Sequence, residues 1–221
     1  QATPPAAGTV FITDHQYQGQ GQRGHIWHSE PGKNLTFSTV LYPTFLSPRD
    51  SFALNWVATL ALYQVVTQHT TEGVTIKWPN DIYHRDKKLG GVLIDNTVLQ
   101  GTLRSSILGI GLNVNQRYFS FPGPTSLARI HQRPFDLQQH LHALLIALEY
   151  YYRQLQTQGM KALRAQYLKH LCGLHETRTF RNASHAFQGM IMDIDDMGRL
   201  IIEHTDGTQH VYDVKEISFV A

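Results

Sequence analysis

The sequence is poor in cysteine. Cys172 is the only cysteine among 221 residues, so an internal disulfide cannot form. Because disulfides persist mainly in oxidising compartments, we expect a protein of the reducing cytoplasm. Cys172 lies in an apolar pattern without an activating neighbour, which favours an inert buried thiol over a nucleophile.

Long apolar runs are also missing. No stretch of the chain is apolar for long enough to cross a membrane. Segment 1–8 is short, polar and contains proline, unlike the apolar core of a signal peptide. We therefore expect neither a membrane partner nor a secretory leader.

Clustered positive charge is absent as well. The formal net charge is +2 without a run of lysine or arginine, so the composition does not indicate a DNA partner. Thirteen histidines are present but scattered. His140 and His142 lie close together without a third ligand at metal-site spacing, and we expect solvated or hydrogen-bonded surface side chains there.

Hydrophobic periodicity predicts both strands and helices over the first three quarters of the chain. Strand-like runs occupy 10–13, 35–42, 74–78 and 106–114, with a hairpin at 83–95 that turns at 85–87. Ser47, followed by Pro48, is typical of a helix start, and the helix that follows is expected to bury one face. Asp136 is expected to cap a second helix with a leucine stripe. A third helix is expected over 160–172.

The character of the chain changes from residue 177. Short alternating runs occupy 186–194, 199–204, 209–214 and 217–220, and they are separated by Asp- and Gly-containing turn sequences. This pattern predicts a small β-barrel-like domain of about 45 residues, with a boundary near 173–177.

The first segment that could carry chemistry is the glycine-rich loop from Gly19 to Trp27. Gly19, Gly21 and Gly24 satisfy G-x-G-x-x-G, but no amphipathic helix follows, which argues against a dinucleotide-binding fold. Glycines let backbone N–H groups crowd around an anion. We interpret the loop as a phosphate or acyl-phosphate cradle, and the alternative is an ordinary mobile connection.

The second segment reads K-W-P-N-D at 77–81 and is followed by K-K-L-G-G at 87–91. Pro79 ends a strand, so Asn80 and Asp81 fall at its carboxyl end, where polar side chains commonly face a ligand. Asp81 could hold a magnesium ion that bridges phosphates, and Lys88 could balance charge at an attacked α-phosphate. Gly90-Gly91 would let the next strand approach a flat ligand. The alternative is a plain hairpin with solvated lysines.

The third segment reads G-I-G-L-N at 109–113. Glycines inside a strand usually indicate close backbone approach. Asn113 could present its amide to a nucleobase. Simple strand packing is the alternative interpretation of this segment.

In this order the segments resemble the catalytic domain of biotin–protein ligases, of the monofunctional type without a DNA-binding domain. That family carries a G-R-G-R/Q-x-G-x-x-W loop, K-W-P-N-D, K-x-G-G and G-x-G-x-N. Here these blocks stand at 19–27, 77–81, 88–91 and 109–113. The resemblance covers roughly residues 9 to 115, with a weaker match to the end, where the β-rich tail is similar to the family's SH3-like domain.

The resemblance implies an α+β fold in which a mixed β-sheet packs on helices, followed by a small SH3-like β-barrel. The implied domains are 1–174 and 175–221. It also implies a two-step reaction: biotin and ATP form biotinyl-AMP with Mg²⁺, and a lysine of a biotin carboxyl carrier domain then accepts biotin. The enzyme would be a monomer or a homodimer.

The resemblance also implies roles for individual residues. Lys88 and Asp81 would be catalytic, and Asp81 would serve the magnesium ion. The implied biotin-binding residues are Gln16, Gln20, Gly21, Gln22, Lys88, Gly91 and Leu93. The implied adenylate-binding residues are Gly19, Gly21, Gln22, Arg23, His25, Trp27, Asn80 and Asn113.

Two departures from the family pattern stand out. Gln20 replaces the first arginine of the loop, and because glutamine supplies no positive charge, we expect weaker retention of the adenylate. The family's S-T-N segment, which contacts biotin from an earlier strand, is not found ahead of the loop. Either this N-terminal strand has been trimmed from the sequence, which we favour, or the biotin pocket lacks one wall.

Three other functions compete with a biotin ligase. A lipoate–protein ligase would share the family, but its arginine- and glycine-rich motif is not found in the sequence. A non-catalytic homologue could hold biotin or its adenylate, which Gln20 and the missing segment would favour. A nucleotide- or nucleic-acid-binding regulator rests on the glycine pattern alone.

Overall fold

The computed structural model of the protein describes residues 3–24 and 26–220, with Arg23 described by its backbone alone. Eleven strands and four α-helices lie in these ranges. The larger part contains β1 Val10–Ile12, β2 Leu35–Leu41, α1 Ala53–Thr67, β3 Val74–Lys77, β4 Asp81–His84, β5 Lys87–Leu99, β6 Thr102–Leu112, α2 Leu127–His131, α3 Leu137–Gln158 and α4 Met160–Lys169. The C-terminal part contains β7 Thr177–Arg181, β8 Ala186–Ile194, β9 Leu200–His204, β10 Gln209–Tyr212 and β11 Ser218–Phe219.

The larger sheet has six strands in the order β1-β2-β6-β5-β4-β3. Its named strands pair antiparallel throughout, and parallel pairing is limited to single bridges such as Ile76 with Leu171. The α+β class is confirmed. We expected a mixed sheet, but the named strands of this sheet are antiparallel. The short connections from β3 to β6 explain the difference, because tight hairpins join only antiparallel strands.

Strand alternation gives the sheet two different faces. Ile76, Ile82, Gly90 and Leu112 stand opposite one another across β3, β4, β5 and β6, on the face that packs on α1. At Gly90 an added Cβ would lie 2.8 Å from the Gly111 carbonyl oxygen and 3.2 Å from the Leu62 side chain. Close packing against β6 and α1 therefore explains this glycine. The prediction that Gly90 lets the strand approach a ligand is wrong.

Helix α1 was expected to bury one face, but it is buried on almost every side. Eleven of its fifteen residues are buried, because the sheet covers one side and α3 and α4 pack against it elsewhere. The predicted helix start is also shifted. Pro48–Phe52 forms a 3-10 turn, and the Ser47 hydroxyl bonds the Asp50 carboxylate at 2.7 Å and does not cap backbone N–H groups.

The second predicted helix is confirmed as α3. The Asp136 carboxylate accepts hydrogen bonds from the backbone N–H groups of Gln138 and Gln139 at 2.8 and 3.1 Å, which is the capping that the sequence predicted. The third helix, α4, ends at Lys169 and not at 172. Its continuation is prevented because the Cys172 N–H donates to the Ile76 carbonyl oxygen at 2.8 Å. The Cys172 thiol is free and only partly buried.

His140 contradicts the expectation of a surface histidine. Its side chain is 5% exposed. Its Nδ1 lies 2.6 Å from the Asp136 carbonyl oxygen and its Nε2 lies 2.9 Å from Nε2 of His69. Because a carbonyl only accepts, Nδ1 of His140 donates, and the neutral His140 ring must then accept from His69. His142 is exposed, as predicted.

The C-terminal sheet has five antiparallel strands in the order β10-β9-β8-β7-β11. In the described chain β10 and β11 do not pair, so the expected barrel is an open sheet. It packs on the larger part: the Trp78 indole N–H donates to the Gly198 carbonyl oxygen at 2.8 Å, and Arg164 pairs with Asp193. None of the helices in residues 3–24 and 26–220 is long and apolar enough to span a bilayer.

Candidate active site

The candidate site is a cavity of about 600 Å³ on the sheet face that points away from α1. Its volume lies within the range of roughly 300–1,000 Å³ that small-molecule sites occupy. Residues 217–219 of the C-terminal sheet close one side of it. Ten of the residues predicted from the sequence line this cavity: Gln16, Gln20, Gly21, Gln22, Trp27, Asn80, Asp81, Lys88, Gly91 and Leu93.

A single row of residues crosses the sheet beneath the cavity. Lys77, Asp81, Gly91, Gly111 and Thr36 stand opposite one another on β3, β4, β5, β6 and β2, and all five line the cavity wall. Two glycines in the middle of the row leave the backbone uncovered. Side chains of other residues therefore lie directly above these two glycines.

An ion pair occupies the space above Gly91. The Lys88 ammonium lies 2.7 Å from the Asp81 carboxylate. A Cβ on residue 91 would lie 2.5 Å from Asp81 Oδ1 and 3.3 Å from Lys88 Nζ, so the glycine leaves room for the pair in its present position. The two side chains retain 33% and 25% of their exposure, and pairs of this kind contribute little to stability. Their geometry instead fixes one cation at the centre of the cavity.

The Trp27 indole covers the other glycine of the row. A Cβ on Gly111 would lie 2.7 Å from two atoms of the indole ring, which confirms the close approach predicted for this strand. Lys88 Nζ lies 5.9 Å from the centroid of the same ring. The Trp27 indole N–H is buried and has no hydrogen-bond partner within the described residues. A ligand that accepts a hydrogen bond would remove the cost of this unpaired donor.

The glycine-rich loop folds into a small hairpin that forms the rim of the cavity. Gln20 bridges to Ile26, and the Trp27 N–H donates to the Gly19 carbonyl oxygen at 2.8 Å. Between them, Gln22–Gly24 forms a 3-10 turn. The loop does not open a long helix, so the structure supports our argument against a dinucleotide-binding fold.

Four predicted site residues stand apart from the lining set. Gly19 is buried below the loop, where a Cβ would lie 2.4 Å from the Trp27 carbonyl oxygen, so it shapes the loop. Asn113 is 2% exposed and its Oδ1 has no partner among the described residues. The side chain of Arg23 and the whole of His25 lie outside the described residues. The binding roles predicted for these four residues stay predictions.

The K-W-P-N-D segment is held at three consecutive residues. Trp78 bonds the Gly198 carbonyl oxygen, the Tyr167 hydroxyl donates to the Pro79 carbonyl oxygen at 2.9 Å, and the Asn80 amide donates to the Val92 carbonyl oxygen. Burial, followed by the nearby Asp81 carboxylate, raises the pKa of Tyr167 well above its usual value. The phenol is therefore neutral and keeps its donor. These contacts fix the start of β4 and hence Asp81.

Sequence reasoning missed several residues of the wall. Lys77, Tyr83 and Ser38 line the cavity, and their strand alternation with Asp81 and Gly109 is a signal that could have found them. Residues 217–219 also line it, but they come from the other sheet and carry no local signal. Burial, followed by the Asp81 carboxylate, raises the pKa of Tyr83 to about 12, so Tyr83 is a neutral phenol.

The cavity offers little for a protein-built metal site. Among the described residues no group of three or more His, Cys, Asp or Glu side chains could hold a metal ion. Asp81 is the one carboxylate of the described lining. A single carboxylate suits a magnesium ion whose other ligands are substrate phosphates and water.

Comparison with known proteins places these observations in context. A family model described as the biotin/lipoate A/B protein ligase family matches residues 1–113. The bifunctional ligase/repressor BirA of Bacillus subtilis is 30% identical over 210 residues, which cover 93% of this chain and 64% of that protein. The chain thus spans just under two thirds of that relative. The biotin–[acetyl-CoA-carboxylase] ligase of Paracoccus denitrificans is 28% identical over 215 residues, which cover 93% of this chain and 89% of that protein.

Solved structures agree with the sequence comparison. The biotin protein ligase from Aquifex aeolicus in complex with biotin and ATP superposes with a TM-score of 0.81 at 25% identity. The superposition covers 99% of this chain and 91% of that one.

Proposed function

Because the chain belongs to the biotin/lipoate A/B protein ligase family, we propose that it is a biotin–protein ligase. It uses ATP to activate biotin as biotinyl-AMP and then joins biotin to a lysine of an acceptor protein. The observation that carries this proposal is the Lys88–Asp81 pair above Gly91, which fixes a cation in the middle of the cavity. The Aquifex aeolicus neighbour, which holds biotin and ATP, supports the choice of substrates.

In the first step two anions must meet. A biotin carboxylate oxygen attacks the α-phosphate of ATP, an O–P bond forms, and the bond from the α-phosphorus to pyrophosphate breaks. Lys88 neutralises part of the charge at the reacting atoms, and Asp81 holds its ammonium in place. A unit charge about 4 Å away contributes roughly 4 kcal/mol at an effective dielectric constant of 20, so its placement has a large effect on the rate.

The loop residues bind the carboxylate end of biotin and the phosphate. Gln16, Gln20 and Gln22 line the rim, where their amides can donate hydrogen bonds without adding charge. Gly21 lets its backbone N–H approach an anion closely. Leu93 forms the floor under the biotin ring, and Gly91 belongs to the same proposed biotin site because it leaves room for the Lys88–Asp81 pair.

The adenylate lies at the Trp27 end of the row. Trp27 offers a ring face and an unpaired buried N–H, and Asn113 offers an unpaired buried amide oxygen. An acceptor of this kind suits the amino group of a nucleobase, and pairing it would recover the cost of its burial. Gly19, Arg23, His25 and Asn80 belong to the same proposed adenylate site.

Magnesium belongs to this proposal as a companion of ATP. The single carboxylate of Asp81 fits an ion that is held chiefly by phosphates and water. When bound, the ion would supply positive charge to the phosphates. Asp81 would share its oxygens between that ion and Lys88.

In the second step the acceptor lysine amine attacks the carbonyl carbon of biotinyl-AMP. A C–N bond forms, the bond from that carbon to the phosphate oxygen breaks, AMP leaves, and the amine loses a proton. A biotin carboxyl carrier domain is the proposed acceptor, in keeping with the name of the Paracoccus denitrificans relative. The protein needs mainly to hold the adenylate and to exclude water until the acceptor arrives.

A labelling experiment tests the proposed function. The chain is incubated with ATP, magnesium, radiolabelled biotin and a carrier domain, and in parallel with radiolabelled lipoate. We expect biotin on the carrier only when ATP is present. Preference for lipoate would indicate a lipoate–protein ligase, and bound biotin without any adenylate would indicate a non-catalytic homologue; either result would contradict the proposal.

A further inference from the structure

Lys77 is a second lysine in the cavity. It ends β3 and stands directly opposite Asp81 in the row that crosses the sheet. Its Nζ lies 4.8 Å from the centroid of the Tyr83 ring and 5.5 Å from that of Phe219. Tyr83 comes from the larger sheet and Phe219 from the C-terminal sheet, so the ammonium lies where the two sheets meet.

Lys77 forms no close ion pair within the described part of the chain. None of the ion pairs in residues 3–24 and 26–220 includes Lys77, although its side chain is partly buried. Partial burial of a cation without a counter-ion is costly, and two aromatic faces offset only part of that cost. An anion that enters the cavity at this point would supply the missing charge.

The position of Lys77 in the row indicates which anion this is. Trp27 covers Gly111 on β6, the Lys88–Asp81 pair covers Gly91 on β5, and Lys77 lies on β3. Neighbouring strands are about 4.8 Å apart, so Lys77 stands roughly 14 Å from the Trp27 end. That distance suits an extended nucleoside triphosphate whose α-phosphate lies near Lys88.

We propose that Lys77 binds the β- and γ-phosphates of ATP and the pyrophosphate that leaves from them. Tyr83 and Phe219 hold its side chain toward these phosphates, and Phe219 thereby makes the C-terminal sheet part of the site. This inference rests on the proposed function, because it takes the Trp27 end as the adenylate end. Lys77 acts on the first half-reaction only, since biotinyl-AMP carries neither of these phosphates.

Separating the two half-reactions tests the inference. The full chain and its Lys77→Met and Lys77→Arg variants are assayed for biotinyl-AMP formation, for inhibition by added pyrophosphate, and for transfer of biotin from pre-formed biotinyl-AMP to a carrier domain. In Lys77→Met we expect the KM for ATP and the inhibition constant for pyrophosphate to rise roughly 10- to 100-fold, as loss of a charged hydrogen bond predicts. The KM for biotin and the transfer rate should not change, and Lys77→Arg should recover most of the loss.

Lys87→Gln is the matched control, because it removes the same charge from an exposed position on the neighbouring hairpin, and its ATP kinetics should not change. Phe219→Leu keeps an apolar contact and removes the ring, so a rise of roughly 2- to 5-fold in the KM for ATP is expected.

Unchanged ATP and pyrophosphate kinetics in Lys77→Met, or an equal loss in the transfer step, would overturn the inference alone. A wild-type chain that forms no biotinyl-AMP would overturn the proposed function together with it.

Discussion

Two lysines on the same cavity wall have opposite surroundings. Lys88 lies 2.7 Å from a carboxylate and is held above a glycine. Lys77 lies between two aromatic rings and forms no ion pair in the described chain. A paired lysine has a fixed position before substrate arrives, whereas an unpaired lysine keeps its full attraction for an anion.

Lys88→Ala removes the paired lysine and should have the largest effect of the substitutions considered. We expect the rate of biotinyl-AMP formation to fall roughly 100- to 1,000-fold, because one preorganised donor at a reacting centre contributes that much. Measurement of pyrophosphate release with saturating biotin and ATP checks this. Lys87→Ala serves as the control, and a Lys88→Ala variant with the wild-type rate would remove Lys88 from the mechanism.

Gly91→Ala tests whether the fixed position of the pair matters. The added Cβ would lie 2.5 Å from Asp81 Oδ1, so the carboxylate and with it the Lys88 ammonium must move. A shift of about 1 Å can cost roughly 100-fold in rate, and we expect a 10- to 100-fold loss with both lysines still present. Gly109→Ala is the comparison variant: its Cβ would lie 3.3 Å from the Leu93 carbonyl oxygen, a tight contact in the same cavity wall that does not involve the ion pair. Equal rates in the two variants would contradict this reading of Gly91.

Gln20→Arg would add a third cation to the two lysines, at the rim of the cavity. Gln20 is exposed and lines the cavity, and an arginine there would offer a charged donor to the adenylate phosphate. We expect release of biotinyl-AMP to slow roughly 10-fold. A filter-binding assay with labelled adenylate measures this release, and unchanged release would show that the glutamine does not weaken retention.

Acid sensitivity of the fold is expected to come from His69, which lies outside the cavity wall. Burial, followed by the charges of His140, His131 and Arg133, lowers the pKa of His69. The unfolded chain therefore binds more protons below about pH 6.5, and the free energy of unfolding should fall as the pH drops through that region. Urea unfolding from pH 8 to pH 5 measures the slope. His69→Gln, which can still donate to His140, should flatten it, while the exposed control His142→Gln should not.

Local sequence predicted the parts of the site that short segments build. Lys88, Asp81 and Gly91 lie within one hairpin, and their lining of the same cavity was predicted. The Asp136 cap was predicted for the same reason, because its partners lie two and three residues further along the chain. Individual roles in binding stay predictions until they are measured.

Contacts between distant segments were not predictable in this way. Phe219 reaches Lys77, 142 positions earlier in the chain, only because the C-terminal sheet contributes to the cavity wall. The burial of His140 depends on its contact with His69 at the end of α1. Strand β7 was missed because it contains only one apolar residue, Phe180, and helix α2 was missed because five residues are too few for a clear helical period.

Isotope exchange between pyrophosphate and ATP is the decisive measurement, because it reports the reversible formation of an acyl adenylate in this cavity. The chain is incubated with ATP, magnesium and labelled pyrophosphate, with biotin either present or absent. We expect label to enter ATP only when biotin is present, and we expect Lys88→Ala to abolish the exchange. Exchange without biotin, or no exchange in the wild-type chain at saturating biotin, would contradict it.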